Sequence, residues 1–246
     1  MKKTLFSAVL VLVTSTLFVT SCKKKNDPKP STPAYQCSNC TQSPEALAAN
    51  DGSSKGVYKG IIIGSTGTVK FAVQNGTNDI IATLVIDGTT VSLTSSVAWT
   101  NGQPYIAPFT GTLNGQPVSI TFSVQANGGN PIITAADIPG HPNASFTLVK
   151  ETSNALIECF EGTYSTTKPE NGTFNIVLSR KLGKLGGISR KSGSTTTSDV
   201  KGTIVGNTVV KDEQDKTIGS LNGDVLSGTF PDGDGNTVTF EGHRTL

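Results

Sequence analysis

The chain has little of the material from which the commoner catalytic and nucleic-acid-binding sites are built. Of its 246 residues only two are His, four are Cys and one is Trp, and aromatics make up 6%. There is no Gly-x-Ser-x-Gly elbow, no His-Glu-x-x-His helix and no glycine-rich phosphate loop between a strand and a helix, which excludes the motif-bearing hydrolases, zincins and nucleotide binders. Ser198-Asp199-Val200-Lys201 spells the Ser-x-x-Lys of acylating serine enzymes, but that motif opens a helix, whereas Val200 to Ile204 reads as strand. No apolar run reaches the roughly 20 residues of a membrane-spanning helix. Charge of neither sign dominates: the chain is formally +2. Without Lys2, Lys3 and the charges of residues 22–36 the remainder is about −3, which excludes a nucleic-acid footprint.

What is abundant is glycine, 27 residues, with Ser and Thr throughout. Val69, Phe71 and Val73 alternate with polar or small neighbours, as do Ile120, Phe122 and Val124, and Phe174, Ile176 and Leu178. A period of two with one polar face predicts half-buried antiparallel strands. Asn75-Gly76, Asp87-Gly88, Asn114-Gly115, Asn127-Gly128, Asn171-Gly172 and Asn222-Gly223 punctuate these runs and suit the positive φ of tight hairpins. The fold class is therefore all-β, a meander of neighbouring strands. About 190 residues from Gly56 onward suffice for one large or two small β domains.

An internal repetition favours two. Gly56-Val57-Tyr58 opens one series of strands and Gly162-Thr163-Tyr164 another; one ends on Phe146 to Lys150, the other on Phe240 to Arg244. The expected organisation is a first β unit at 56–150 and a second at 151–246, each a small antiparallel barrel or sandwich, against the alternative of one continuous sheet. A Gly-x-aromatic on the first strand with a base on the last resembles the lipocalin and avidin group of barrels. That resemblance implies stacking of the two side chains across the barrel bottom, Tyr58 with Lys150 and Tyr164 with Arg244.

The N-terminus has Lys2 and Lys3, an apolar run from Leu5 to Val19, and Thr20-Ser21-Cys22. This is the pattern of a signal peptide, residues 1–21. Val19-Thr20-Ser21-Cys22 resembles the lipobox of bacterial lipoproteins, which implies acylation of Cys22, whose freed amine becomes the new N-terminus. The resemblance implies a membrane partner reached through that lipid and a home in the cell envelope. Lys23 is not the aspartate that marks inner-membrane retention in enterobacterial lipoproteins, so the outer membrane is expected, its face left open. Residues 22–36, with Lys23-Lys24-Lys25 and three prolines, cannot repay ordering entropy by burial and read as a disordered, proline-stiffened tether.

Residues 37–55 hold Cys37-Ser38-Asn39-Cys40 and then Ser43-Pro44-Glu45-Ala46-Leu47-Ala48-Ala49. The second stretch predicts one short helix capped by Ser43, with Pro44 in its first turn. A thioredoxin-type pair would need a βαβ setting, and a zinc site would need further ligands in spacing; neither is present. In an exported chain a structural bond is expected. Either Cys37 and Cys40 pair and Cys159 is a buried thiol, or Cys159 bonds one of them.

Three stretches are candidate sites. Trp99 and Tyr105 flank a polar loop and could form a flat surface on which a sugar stacks, or could lid the core. Arg180, Lys181, Lys184, Arg190 and Lys191 form a run of bases without an acid, suited to anionic glycan or lipid phosphate, or else to a solvated strand edge. Asp232, Asp234 and Asn236 alternate as in a calcium loop, although Thr237 and His243 stand where an EF-hand has Gly and Glu, and a plain hairpin turn is the simpler expectation. No cofactor or catalytic residue is implied. The expected role is non-catalytic binding of a glycan, a small apolar ligand or an envelope protein. A structural or assembly role, or a hydrolase with two converging carboxylates, are the alternatives.

Overall fold

The computed structural model describes residues 35–64 and 66–246; Cys22 and the signal-peptide and tether assignments up to residue 34 lie outside them. The described part is all-β and every strand pairing in it is antiparallel.

The first eight strands are β1 (Gly56–Ile63), β2 (Gly67–Val73), β3 (Ile80–Ile86), β4 (Thr89–Thr94), β5 (Tyr105–Leu113), β6 (Gln116–Val124), β7 (Ile132–Asp137) and β8 (Ser145–Lys150). They form one curled sheet in the order β7-β6-β5-β4-β3-β2-β1-β8, so the chain meanders and then returns to pair β8 with β1. The next eight are β9 (Glu158–Thr166), β10 (Asn171–Ser179), β11 (Lys184–Lys191), β12 (Ser198–Val205), β13 (Val209–Lys211), β14 (Thr217–Asn222), β15 (Val225–Pro231) and β16 (Thr237–Arg244). These close into a barrel in which β16 pairs with β9.

Glycine and Asn punctuation places most turns as expected. Asp87-Gly88 and Asn114-Gly115 both take positive φ at both residues, the geometry a two-residue hairpin requires. Asn171-Gly172 is a correction: both residues lie inside β10. A Cβ on Gly172 would stand 2.6 Å from the Tyr164 ring, so this glycine admits a neighbouring ring rather than a turn.

The interior of the first sheet is filled. Phe71 stacks on Phe122 at 4.5 Å between centroids, Phe109 meets Phe71 edge-on at 4.9 Å, and Tyr58 lies 5.0 Å from Phe122. Lys150 Nζ sits 5.6 Å from the Tyr58 ring centroid, directly across the β1–β8 register, and donates to the Asn50 and Ser53 carbonyls. In the second barrel the corresponding pair is separate. Arg244 is in register with Phe160, while Tyr164 is in register with Phe240, four pairs away along the β9–β16 ladder.

β1 is buried along its whole length because it serves two cores. Tyr58 and Ile62 point into the first sheet, while Ile61 and Ile63 pack with Ile157, Cys159, Val177 and Ile188 of the second barrel. Asn175 Nδ2 donates to the Ile62 carbonyl across this seam.

The segment before β1 departs from expectation in two ways. Instead of a helix over 43–49 there is one 3-10 turn, Ala48–Asn50. The reason is competition for the backbone: the Glu45 N–H donates to Glu151 Oε1 (2.6 Å), the Leu47 N–H to Asn75 Oδ1 (3.2 Å), and the Glu45 carbonyl accepts from Asn75 Nδ2 (2.9 Å). Two of these long-range bonds take groups a helix would have paired internally, the Leu47 N–H and the Glu45 carbonyl. Tyr35, assigned to the tether, is docked: its hydroxyl donates to the Arg244 carbonyl at 2.9 Å and its ring lies 4.6 Å from that of His243.

Cys37 and Cys40 are disulfide-bonded, and Cys159 is a free, buried thiol. Burial pushes the Cys159 thiol up to about 12, outweighing Lys59 and Arg244, and its Sγ–H faces the Gly60 carbonyl at 3.6 Å. A thiol this protonated and enclosed is a core side chain, not a nucleophile.

Candidate functional site

Closing eight strands leaves an interior just wide enough to be filled by side chains or to hold one small ligand. In the second barrel, residues alternate inward along β9 as Phe160, Gly162 and Tyr164, and along β16 as Phe240, Gly242 and Arg244. At Gly162 and Gly242 a Cβ would stand 2.5 and 2.9 Å from the tip of the Phe174 ring, and at Gly228 it would stand 2.7 Å from Phe240. Glycine at these positions lets the two phenyl rings lie against the barrel wall. They meet edge-on at 5.7 Å and leave the lumen open beyond them.

The result is a cavity of about 330 Å³, within the range of small-molecule sites. Its depth is lined by Phe174, Ile176, Leu185, Val210 and Leu226, and its outer part by Val200, Phe230, Val238 and Phe240. Polar lining is confined to Tyr164, Thr166, Glu170, Ser189, Ser198 and Asp232. All six lie at the barrel end that carries the loops 167–170, 192–197, 212–216 and 232–236, and this end is the mouth. The four loops contain six carboxylates and two lysines; Lys191 and Lys211 stand at adjoining strand ends.

At the lip, Glu170 Oε2 holds Lys191 Nζ at 2.8 Å and Oε1 faces the Tyr164 hydroxyl at 3.4 Å. The Lys191 bond holds the Glu170 carboxyl below its ordinary value. Asp232 is likewise held low, chiefly by Asn236, and stays ionised.

The opposite end is sealed. Arg244, 1% exposed, lies among Glu158, Asp224 and two carbonyls, those of Thr41 and Leu246. Leu178, Ile204, Leu221 and Phe160 pack above it as the floor. The lumen therefore has one entrance.

The residues expected to bind ligand fall elsewhere. Trp99 lids the first core: its Nε1 donates to Ser54 Oγ at 2.8 Å and Lys55 Nζ stands over the ring at 4.1 Å, so the indole is half-buried between the core and that ammonium. Tyr105 is 3% exposed and donates to the Val97 carbonyl at 3.0 Å. Burial of these large rings prevails because each removes so much apolar area from water. The run of bases is pulled apart by the β10–β11 hairpin, which places Arg180, Lys181 and Lys184 at the sealed end of the barrel and Arg190 and Lys191 at the mouth end. Arg180 makes a forked pair with Glu158 (2.9 and 3.0 Å), and Arg190 donates to the Asn143 carbonyl at 2.9 Å. Asp232, Asp234 and Asn236 form the hairpin turn: Asp232 Oδ1 accepts the N–H groups of Asp234 and Asn236, and Oδ2 accepts Asn236 Nδ2. The oxygens a cation would need are already engaged. Among the described residues no three His, Cys, Asp or Glu side chains are grouped to hold a metal.

Two carboxylates do share a cleft, of about 320 Å³, formed by Thr66, Glu161, Thr173, Asn175, Glu241 and His243. Burial raises the Glu161 carboxyl against the pull of its bond from the Thr245 hydroxyl (3.2 Å), and Asp87 adds to the rise. Glu241 faces His243 Nε2 at 3.6 Å. The lining of this cleft carries no phenyl or indole ring.

The cavity itself was missed in the sequence, although a signal was present: the inward positions of β9, β15 and β16 carry Gly162, Gly228 and Gly242 where a filled barrel carries bulky residues. No protein-family model matches the chain, and no curated protein or solved structure matches it either.

Proposed function

We propose that the chain is a lipid-anchored protein of the cell envelope, carried on the outer membrane by acylated Cys22, whose second barrel binds a small apolar ligand without catalysis. The observation that carries the binding part is the one-mouthed apolar lumen: a closed barrel with a sealed floor and a cavity of about 330 Å³ beside a fully packed twin. Apolar lining left facing water costs about 25 cal/mol per Å², so an occupant that covers it stabilises the fold. The signal-peptide pattern and the lipobox resemblance support the envelope part.

N-phenyl-1-naphthylamine, an uncharged apolar probe, tests the lumen. Its emission rises saturably on titration with the full chain, and Ser189→Trp, which sets an indole in the half-buried mouth, weakens uptake at least tenfold with the strand circular dichroism unchanged. Lack of saturable uptake by the unmodified chain would refute the binding reading. Anchoring is tested separately: Cys22→Ala moves the protein from the membrane to the soluble envelope fraction, and retention in the membrane fraction would overturn it.

A further inference from the structure

Resting on the reading that the second barrel holds a ligand, we propose that its occupant is a single-chain amphiphile with a hydrogen-bond-donating head, a long-chain amine or alcohol, and that the mouth rejects the matching carboxylate. The size of the lumen, near the lower end of small-molecule sites, suits one unbranched chain rather than several. Its depth is wholly apolar, so the tail goes inward and the head stays at the mouth.

What the head meets there sets its chemistry. The polar lining consists of the hydroxyls of Tyr164, Thr166, Ser189 and Ser198 and the carboxylates of Glu170 and Asp232, with no ammonium or guanidinium among the lining side chains. Lys191 at the rim is held on Glu170 Oε2 and Lys211 on Asp215 at 3.0 Å; Lys168, in the loop that carries Glu170, acts on that same carboxylate. The surrounding loops carry more carboxylates than lysines. A donor head finds carboxylate oxygens that are already held in place by Lys191, Asn236 and the turn N–H groups and still carry further lone pairs; an anionic head meets like charge at close range. Entry tail-last offers the carboxylate no better place. Arg244 at the floor is already satisfied by Glu158, Asp224 and the carbonyls of Thr41 and Leu246.

The test displaces N-phenyl-1-naphthylamine from the full chain at pH 7 with dodecylamine and dodecanoate below their micelle-forming concentrations and dodecanol below its solubility limit. The amine and the alcohol compete at concentrations at least tenfold lower than dodecanoate. In the Glu170→Gln/Asp232→Asn variant, which removes both lining charges and frees Lys191, the advantage shrinks to within threefold. Equal competition by dodecanoate against the unmodified chain, or an undiminished advantage in the variant, overturns the proposal alone. Failure of both the amine and the alcohol to displace a saturably bound probe likewise overturns the proposal alone, whereas absence of saturable probe uptake overturns the binding reading together with it.

Discussion

Replacing Lys59 by Met lowers the stability of the described body by about 3–5 kcal/mol, the cost of leaving a buried charge without its partner. Lys59 is fully buried; its Nζ lies 2.8 Å from Glu151 Oε2 and 3.1 Å from Glu45 Oε2, and Glu151 is itself fully buried. Glu151 also accepts the N–H groups of Glu45 and Ile157, so its carboxylate ties the N-terminal segment, β1 and the approach to β9 together. At about 2–4 °C per kcal/mol for a body of this size, the melting temperature falls by roughly 10 °C. A Lys59→Met/Glu151→Gln variant recovers part of the loss, because the unpaired charge is gone and the amide keeps an oxygen for the Ile157 N–H, while its NH2 group can no longer accept the Glu45 N–H. Thermal melts followed by circular dichroism decide the matter: a drop below about 1 kcal/mol in the single variant, or no recovery in the double, would show that the buried pair does not hold the segment.

The same cluster makes the body acid-sensitive. Burial alone would raise the Glu45 carboxyl, but the hydrogen bonds and charges of Lys70 and Lys59 outweigh it, so the folded value lies below the ordinary carboxylate value of 4.5. A carboxyl depressed on folding contributes stability that is complete above its unfolded value and is lost as pH falls through the folded one. Melting temperature therefore holds steady from neutral pH down to about 5 and declines below it.

The second large effect is at the barrel floor. Arg244→Ala leaves Asp224 and the Thr41 carbonyl facing an emptied pocket and costs about 2–4 kcal/mol. The loss is smaller than at Lys59 because Glu158 keeps its forked bonds to Arg180. Arg244→Lys restores only part, since one ammonium cannot replace a planar fork that reaches Glu158, Asp224, Thr41 and Leu246 together. The floor also anchors the segment that leads into the disulfide: the Cys37 N–H donates to Asp224 Oδ2 at 2.9 Å and the Tyr35 hydroxyl to the Arg244 carbonyl. Limited proteolysis of Arg244→Ala accordingly cuts first between residues 35 and 47. Unchanged cleavage together with a denaturation midpoint equal to that of the unmodified chain would contradict this account.

Trp99 and the run of bases from Arg180 to Lys191 show where reading along the chain loses contact with the molecule. An exposed-looking aromatic in a polar loop becomes a lid because Ser54 and Lys55, some 45 residues earlier, meet its indole. A patch of positive charge becomes two separate groups because a hairpin folds through its middle. In both cases the deciding neighbour is remote in sequence. The segment Ser43–Ala49 has every local mark of a helix and still is not one, since Glu151 and Asn75 claim its backbone from a distance.

What the sequence by itself determined is local: strands from a period of two, turns at Asp87-Gly88 and Asn114-Gly115, and the all-β class that follows when such units repeat. Two units are also legible in it, in the matched openings at Tyr58 and Tyr164. The tertiary structure alone decided that Cys37 bonds Cys40 while Cys159 is buried against β1, that β1 serves two cores, and that one unit is packed while the other is hollow. Those outcomes depend on volume and closure. Whether Phe71, Phe109 and Phe122 meet across an interior, or Phe174 and Phe240 lie back against glycines and leave a lumen, is settled only when strands far apart in the chain are brought round to face one another.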